Sequence, residues 1–273
     1  MMPAFPRAIS RTFQRTKAHA VITTARTKYS GPQLVKPGAL IELREYDLLP
    51  ARSAEYMSLT ATTMPVRLSH TPCRLFSFPD TGGRLDVATH FYYYEGGHDE
   101  RNVARAGAAS DPNWASYLTT ALPCIAAKHS SLFAEAPLVA STEGVCGLLG
   151  AESPAGLDSG GGCIYEVRKY RLQLGYDTVP KFLNLYGAGL PSKLAAEGTD
   201  PSTSLTTVLY SEVGNLNEVI ELWRHGGGTA AMERSRVAAR TAPEWRDAIA
   251  QIAGLANEFT SVIHRPAPFS PWQ

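Results

Sequence analysis

Most of the features that announce a function are missing from this sequence. No run approaches the roughly 18–20 consecutive apolar residues that a membrane-spanning helix needs, so an integral membrane protein is not expected. Cysteine is scarce. Cys73, Cys124, Cys146 and Cys163 are scattered and form neither a C-x-x-C pair nor a Cys/His cluster, which argues against a structural zinc site and a disulfide scaffold and leaves four reduced thiols. The patterns Gly-x-x-x-x-Gly-Lys-Ser/Thr, Gly-x-Ser-x-Gly and His-Glu-x-x-His are all absent, removing the simplest nucleotide, hydrolase and zinc-protease readings. Gly160-Gly161-Gly162 and Gly226-Gly227-Gly228 are too plain for phosphate loops and read as linker and strand-to-helix loop.

Acidic residues are also missing from one end. Arg7, Arg11, Arg15, Lys17, Arg26, Lys28 and Lys36 precede the first carboxylate, Glu42, and setting these seven aside leaves 19 basic residues against 25 acidic ones. Phe5, Ile9 and Phe13 recur every four residues and stack on one helical face, with Arg7, Arg11 and Arg15 on the opposite one. A basic, acid-free, amphipathic segment has the character of a mitochondrial import peptide, and residues 1–38 are assigned to it. A nucleic-acid arm would leave the body basic as well; this body is acidic, and no nucleic-acid partner is expected.

With 44% hydrophobic and 19% charged residues, the chain is long enough for two domains of about 100 residues, each with its own core. The body also says nearly the same thing twice. Ile41-Glu42-Leu43-Arg44-Glu45-Tyr46 returns as Tyr165-Glu166-Val167-Arg168-Lys169-Tyr170, and Tyr92 and Trp114 are answered by Trp223 and Trp245, each 131 residues on. The pattern predicts a tandem duplication, with a first repeat at 39–139, a Gly/Ser-rich linker at 140–163 and a second repeat at 164–273.

In the first repeat the pattern predicts a strand over 40–48, a helix over 51–66, a strand over 73–78, a glycine turn, a strand over 87–94, two helical segments and a final strand near 131–135. The second repeat follows the same order, with Thr241-Ala242-Pro243-Glu244 read as a capping box for its last helix. The class is therefore α+β, two tandem ferredoxin-like βαββαβ repeats whose bare sheet faces should meet in an intrachain dimeric α/β barrel.

Glu-Leu-Arg-x-Tyr on the first strand, Val213-Gly214-x-Leu216-Asn217 in the second hairpin, Leu222-Trp223-Arg224 on the next strand, the Trp245 element and the closing Pro268-Phe269-Ser270-Pro271 together resemble the NIPSNAP family. The resemblance spans both repeats and is more specific in the second. It implies a dimeric α/β-barrel fold, residence in the mitochondrial matrix with exposure on the surface of damaged mitochondria, and a role in quality control or vesicular trafficking through autophagy adaptors or other mitochondrial proteins. Homo-oligomerisation is compatible with it, and no cofactor is implied.

Strand alternation puts Glu42, Arg44 and Tyr46 on one face, and Glu166, Arg168 and Tyr170 on the matching one. On a face meeting the partner sheet these groups could grip an anion or carbonyl ligand; pairing of the Glu and Arg residues with each other or across the pseudo-twofold, as symmetric packing would need, is the favoured reading. Trp223 and His225 share a face and could serve proton transfer, cofactor-free oxidation or haem ligation, although such a pair is more often packed core. Trp114 and Trp245 read as core anchors, and Arg101, Arg105, Arg234, Arg236 and Arg240 as a solvated helix face. The resemblance favours a non-enzymatic interaction protein; the alternative is a monooxygenase-like enzyme or a small-molecule or haem binder of the dimeric α/β-barrel type, using the inter-sheet cavity. Import makes the first prediction: replacing Arg7, Arg11 and Arg15 by Glu leaves a tagged chain in the cytosol by fluorescence microscopy, and an unchanged mitochondrial signal refutes the targeting assignment.

Overall fold

The computed structural model describes residues 38–145, 147–148 and 162–273; the expected import peptide up to residue 37, Cys146 and most of the expected linker lie outside the described residues. The first half runs β1 (Leu40–Leu48), α1 (Ser53–His70), β2 (Cys73–Thr81), β3 (Val87–Tyr94), α2 (Gly97–Ser110), α3 (Pro112–Ala121) and β4 (Ile125–Glu135), followed by the short α4 (Leu138–Ser141). The second half repeats the order as β5 (Ile164–Leu172), α5 (Thr178–Leu194), β6 (Thr203–Val213), β7 (Glu218–His225), α6 (Gly228–Ala239), α7 (Pro243–Ala253) and β8 (Ala256–Pro266).

The strands close into a barrel in the order β1-β3-β2-β8-β5-β7-β6-β4, every neighbour antiparallel. The two halves therefore join edge to edge, β2 with β8 and β4 with β6, which pairs edge groups that two separate sheets would leave open. The α+β barrel expected from the repeats is the architecture present.

Period-two alternation sorts each strand between two environments. Ile41, Leu43, Leu75, Phe91, Tyr93, Phe133, Tyr165, Val167, Leu209, Ile220 and Leu222 form one cluster drawn from seven of the strands and from both halves, so the barrel interior is a packed apolar core. Trp272, beyond β8, inserts into the same cluster and donates its N–H to the Arg74 carbonyl at 3.1 Å. The alternate residues face the helices: Leu40, Phe76, Tyr92 and Tyr94 pack with Tyr56, Met64 and Tyr117 in the first half, and Tyr170, Leu172, Val219 and Trp223 pack with Phe182, Tyr186 and Trp245 in the second.

This sorting corrects the expected aim of the Glu-x-Arg-x-Tyr triplets. Glu42 meets Arg101 of α2 and Glu166 meets Arg236 of α6, so both triplets point at the helix layer and not at the opposite sheet. The physical reason is donor supply. A carboxylate inside a small apolar barrel would lack partners, whereas the overlying helices bring guanidinium groups to it. The expected solvated face of the helices is corrected by the same contacts for Arg101 and Arg236.

Three local expectations also shift. α1 runs on to His70, four residues past the expected end, with Met64 and Arg67 buried on its last turns. β4 starts at Ile125, its first half pairing with β1 from Leu48 to Leu43 despite little burial of its own. The capping box does not form: Ala242 is the N-cap of α7, Thr241 Oγ1 donates back to the Ala238 carbonyl, and Glu244 accepts from Ser192 of α5 at 2.6 Å.

Glycine is required where strand turns into helix. Gly97 and Gly228 open α2 and α6 at φ +68° and +69°, and at Gly228 a Cβ would lie 2.8 Å from the Gly162 carbonyl oxygen. Gly189 lets α5 and α7 pack closely: an added Cβ would meet the Ala248 Cβ at 2.7 Å and the Glu244 oxygen at 3.1 Å. Gly189→Val therefore wedges these helices apart. The expected cost is about 1–3 kcal/mol, larger than the few tenths gained in helix propensity, read as a lowered urea midpoint; an unchanged midpoint refutes the tight contact.

Candidate functional site

The site grows out of the register of β5. Glu166 lies opposite Trp223 on β7, and Arg168 lies opposite Glu221 on β7 and Ser261 on β8. Alternation then places Glu166, Arg168, Tyr170, Glu221, Trp223 and His225 on one helix-facing surface. The end of α5 brings Lys193 over them, α6 brings Ser235 and Arg236, and α7 brings Trp245.

Glu166 is almost wholly buried. Its Oε1 accepts from Arg168 Nε, from Arg236 Nη2 at 2.6 Å and from Ser261 Oγ at 2.7 Å, and its Oε2 faces His225 Nε2 at 3.4 Å. Burial alone would push the carboxyl up, but His225 and the Arg168 and Arg236 guanidinium groups outweigh it and hold the group well below the ordinary carboxylate range. Glu166 is thus an ionised anchor whose lone pairs are already engaged.

His225 is held at both ring nitrogens. Nδ1 lies 2.9 Å from Thr203 Oγ1, which accepts from Ser235 Oγ at 2.9 Å, and Ser235 Oγ accepts the Asp200 N–H at 3.0 Å. The hydroxyl directions that satisfy this chain make Nδ1 an acceptor and Nε2 a donor to Glu166. Burial pushes the imidazole pKa down, against the pull of Glu166. With neither nitrogen free, His225 does not fit as a haem ligand; it positions Glu166. Among the described residues no group of three metal-ligating side chains occurs.

Lys193 had no place in the sequence reading, yet its amine occupies the middle of the site. Nζ lies 3.7 Å from the centre of the Trp223 ring and 4.3 Å from that of Trp245. Among the described residues it makes no hydrogen bond and no ion pair. Burial pushes it down to about 7, with Glu221 opposing and Arg168 reinforcing that shift. Glu221 lies fully buried beside it. Its Oε2 accepts from Trp223 Nε1 at 2.6 Å, while Oε1 has no partner among the described residues. Burial, helped by Glu221, pushes the Tyr170 and Tyr186 phenols well up.

Glu166, Arg168, Lys193, Trp223 and His225 border a cavity of about 600 Å³ between the sheet and α5–α7, within the size range of small-molecule sites. Its walls are apolar at Trp223, Trp245, Ile249 and Phe259 and cationic at Arg168, Lys193, Arg236, Arg240 and Arg246, with Glu166 as the lining carboxylate. Tyr170 sits behind the wall, stacked on Phe259 at 4.4 Å.

The first half carries the same frame with its centre filled. Glu42 accepts from Arg101 at 2.8 Å, Ser130 at 2.7 Å and Arg44 at 3.0 Å, and although burial raises it, these donors bring it down to about 2. Where Lys193 stands in the second half, Arg67 stands here, over Trp114 at 4.9 Å and donating to Tyr92 at 2.7 Å and to Tyr117 at 3.2 Å. Tyr46 packs into the core of that half, and His90 replaces the carboxylate of Glu221.

The eight side chains singled out in the sequence thus divide between two frames. Glu42, Arg44 and Tyr46 belong to the filled one, whereas Glu166, Arg168, Trp223 and His225 border the cavity with Tyr170 behind. Lys193 and Glu221 were missed, although a signal existed for the lysine: Met64-Pro65-x-Arg67 repeats as Leu190-Pro191-x-Lys193, a basic residue at the same place in the first helix of each repeat. The low value of Lys193 against 10.5 for a free lysine means that unfolding takes up a proton between those values. Its penalty is complete below pH 7 and fades as pH rises. Lys193→Met should therefore raise the melting temperature more at pH 6 than at pH 9.5 in calorimetry; an equal effect at both refutes the downward shift of the amine.

Comparison with known proteins fits this description. Among solved structures, a candidate monooxygenase from Lactobacillus acidophilus superposes with a TM-score of 0.55 at 9% identity, covering 84% of this chain and 94% of that one. Another from Fusobacterium nucleatum gives 0.56 at 10% identity over 84% and 92%; at such identities the likeness is one of fold. Protein NipSnap of Drosophila melanogaster is 22% identical over 255 residues, 90% of this chain and 84% of that protein. The NIPSNAP family model matches residues 41–138 and 165–271, the two stretches that build the two halves of the barrel, and the chain belongs to the NIPSNAP family.

Proposed function

We propose that the second half of the barrel is a binding site for a small organic anion with a flat apolar body, and that this is the setting of the protein's chemistry. One observation carries the reading: the cavity of about 600 Å³ joins indole and alkyl walls to five cationic side chains against a single lining carboxylate, and that carboxylate is already neutralised by Arg168 and Arg236. A ligand entering it would lay its apolar body against Ile249 and Phe259 beside the indoles that Lys193 covers and place its charge toward Arg240 and Arg246, which make no ion pair among the described residues. In the first half the matching space holds Arg67 donating to Tyr92 and Tyr117, which is the character of a scaffold. The names of the monooxygenase-like fold neighbours are compatible with catalysis here.

The acid-free basic segment before residue 38 supports import into mitochondria as the place of action. The quality-control role that family resemblance implies is a second reading. It is favoured by the exposed Leu174, Tyr176 and Leu216, in loops that the Leu172 N–H to Asn217 carbonyl bond at 2.8 Å ties together at one end of the barrel, an apolar patch suited to a protein partner.

The site is tested by thermal shift with benzoate, phthalate and phenyl phosphate against neutral benzyl alcohol. An anion at a hundred times its Kd should stabilise the chain by about 2.7 kcal/mol, and the exposed double variant Arg240→Glu, Arg246→Glu should weaken that response at least about tenfold in Kd. No response to any anion, or an equal response to the alcohol, refutes the reading.

A further inference from the structure

Within that proposed site, and resting on it, we infer that Lys193 is a nucleophile that forms an imine with an aldehyde or ketone bearing an anionic group at its far end. Three features of the geometry converge on this. The amine lines the cavity and, among the described residues, is tied up by neither a carboxylate nor a hydrogen bond. The ring faces of Trp223 and Trp245 lie 3.7 and 4.3 Å from Nζ, so the cationic iminium would keep the cation–π stabilisation that the ammonium has. The cationic rim of Arg240 and Arg246 lies on the same cavity and would hold the anionic end of a substrate whose carbonyl meets the amine.

Burial, which leaves Lys193 at about 7, keeps a substantial fraction of the amine unprotonated at neutral pH, as carbonyl addition requires. The charged groups facing it are Glu221 of β7, Glu166 and Arg168 of β5 and Arg236 of α6. Glu221, with Oε1 unpartnered among the described residues, is the nearby base able to carry protons. In the reaction the Nζ lone pair forms the C–N bond while the carbonyl π pair moves to oxygen, which takes up a proton. That first proton comes from the nitrogen through Glu221 or water; a second, taken from solvent, turns the hydroxyl into a leaving water, and as the C–O bond breaks the nitrogen lone pair closes the C=N bond, leaving a cationic iminium that keeps one N–H. No oxidant or reductant enters. The first half is an internal contrast, since Arg67 at the matching place keeps its charge and is not a carbonyl nucleophile.

The chain has seven lysines, Lys17, Lys28, Lys36, Lys128, Lys169, Lys181 and Lys193, so adducts are readily mapped. Lys128 and Lys181 are exposed and Lys169 pairs with Glu45 at 2.8 Å. The full chain is treated at neutral pH with 4-formylbenzoate and cyanoborohydride, which delivers hydride to any imine and fixes it as a secondary amine for peptide mass spectrometry. Lys193 should carry at least about tenfold more adduct than Lys128 or Lys181, terephthalate should suppress that labelling, and Lys193→Met should show only the background on the other lysines. Labelling spread evenly over the exposed lysines, or absent at Lys193, overturns the inference. If terephthalate still raises the melting temperature of the native chain in that case, the anion site stands without the imine; if it does not, both readings fall together.

Discussion

A carboxylate carried on the underside of a sheet leaves water as the helices close over it, and it is tolerable there only if donors arrive with them. Glu42 and Glu166 impose this condition on the two halves of the barrel. Each collects an arginine two residues along its own strand, an arginine from the helix above, and a serine from the neighbouring strand, Ser130 or Ser261. The arrangement fixes strand register and helix position together, because a slip of one residue would turn the carboxylate into the apolar barrel interior. The helix layer, the seams between halves and the cavity all sit where these two anchors place them.

On that shared frame the halves diverge through a handful of substitutions. In the first half a guanidinium, two tyrosines and a histidine fill the space between sheet and helices, Arg67 reaching Tyr92 and Tyr117. In the second, the shorter ammonium of Lys193 replaces the guanidinium, Trp223 replaces Tyr92, and Ala248 stands on α7 where α3 carries Tyr117. The lost hydroxyl network leaves an amine over two indole rings and a carboxylate oxygen without a partner. Groups left like this are costly to stability, and proteins keep such costs where a ligand or a reaction uses them.

Much of the architecture was legible because it depends on local chemistry repeated along the chain. The recurrence of Glu-x-Arg-x-Tyr, the tryptophans and the glycine turns identifies two copies of one unit, and alternation on the strands separates two faces. What alternation alone does not reveal is which face looks inward. The polar triplets were expected between the sheets, whereas the apolar Ile41, Leu43, Tyr165 and Val167 occupy that place, because the arginines able to serve a carboxylate come from helices on the other side. Likewise Thr241 and Glu244 carry capping-box spacing but are drawn to Ala238 and Ser192, partners supplied by packing.

The duplicated βαββαβ plan was readable from repetition and periodicity along the chain, the family from its resemblance in motifs, and the favoured pairing of Glu166 with Arg168 from their spacing two apart on one strand. It took the packing of separate elements to set Lys193 on a cavity with Trp223 and Trp245 and Glu221 buried behind it, and to place Arg67 against Tyr92 and Tyr117 in the other half. The physical reason is that an amine's environment is set by what surrounds it in space: the same end-of-helix position becomes a buried guanidinium anchor or a low-pKa amine according to the side chains that strands and helices far away in sequence bring against it.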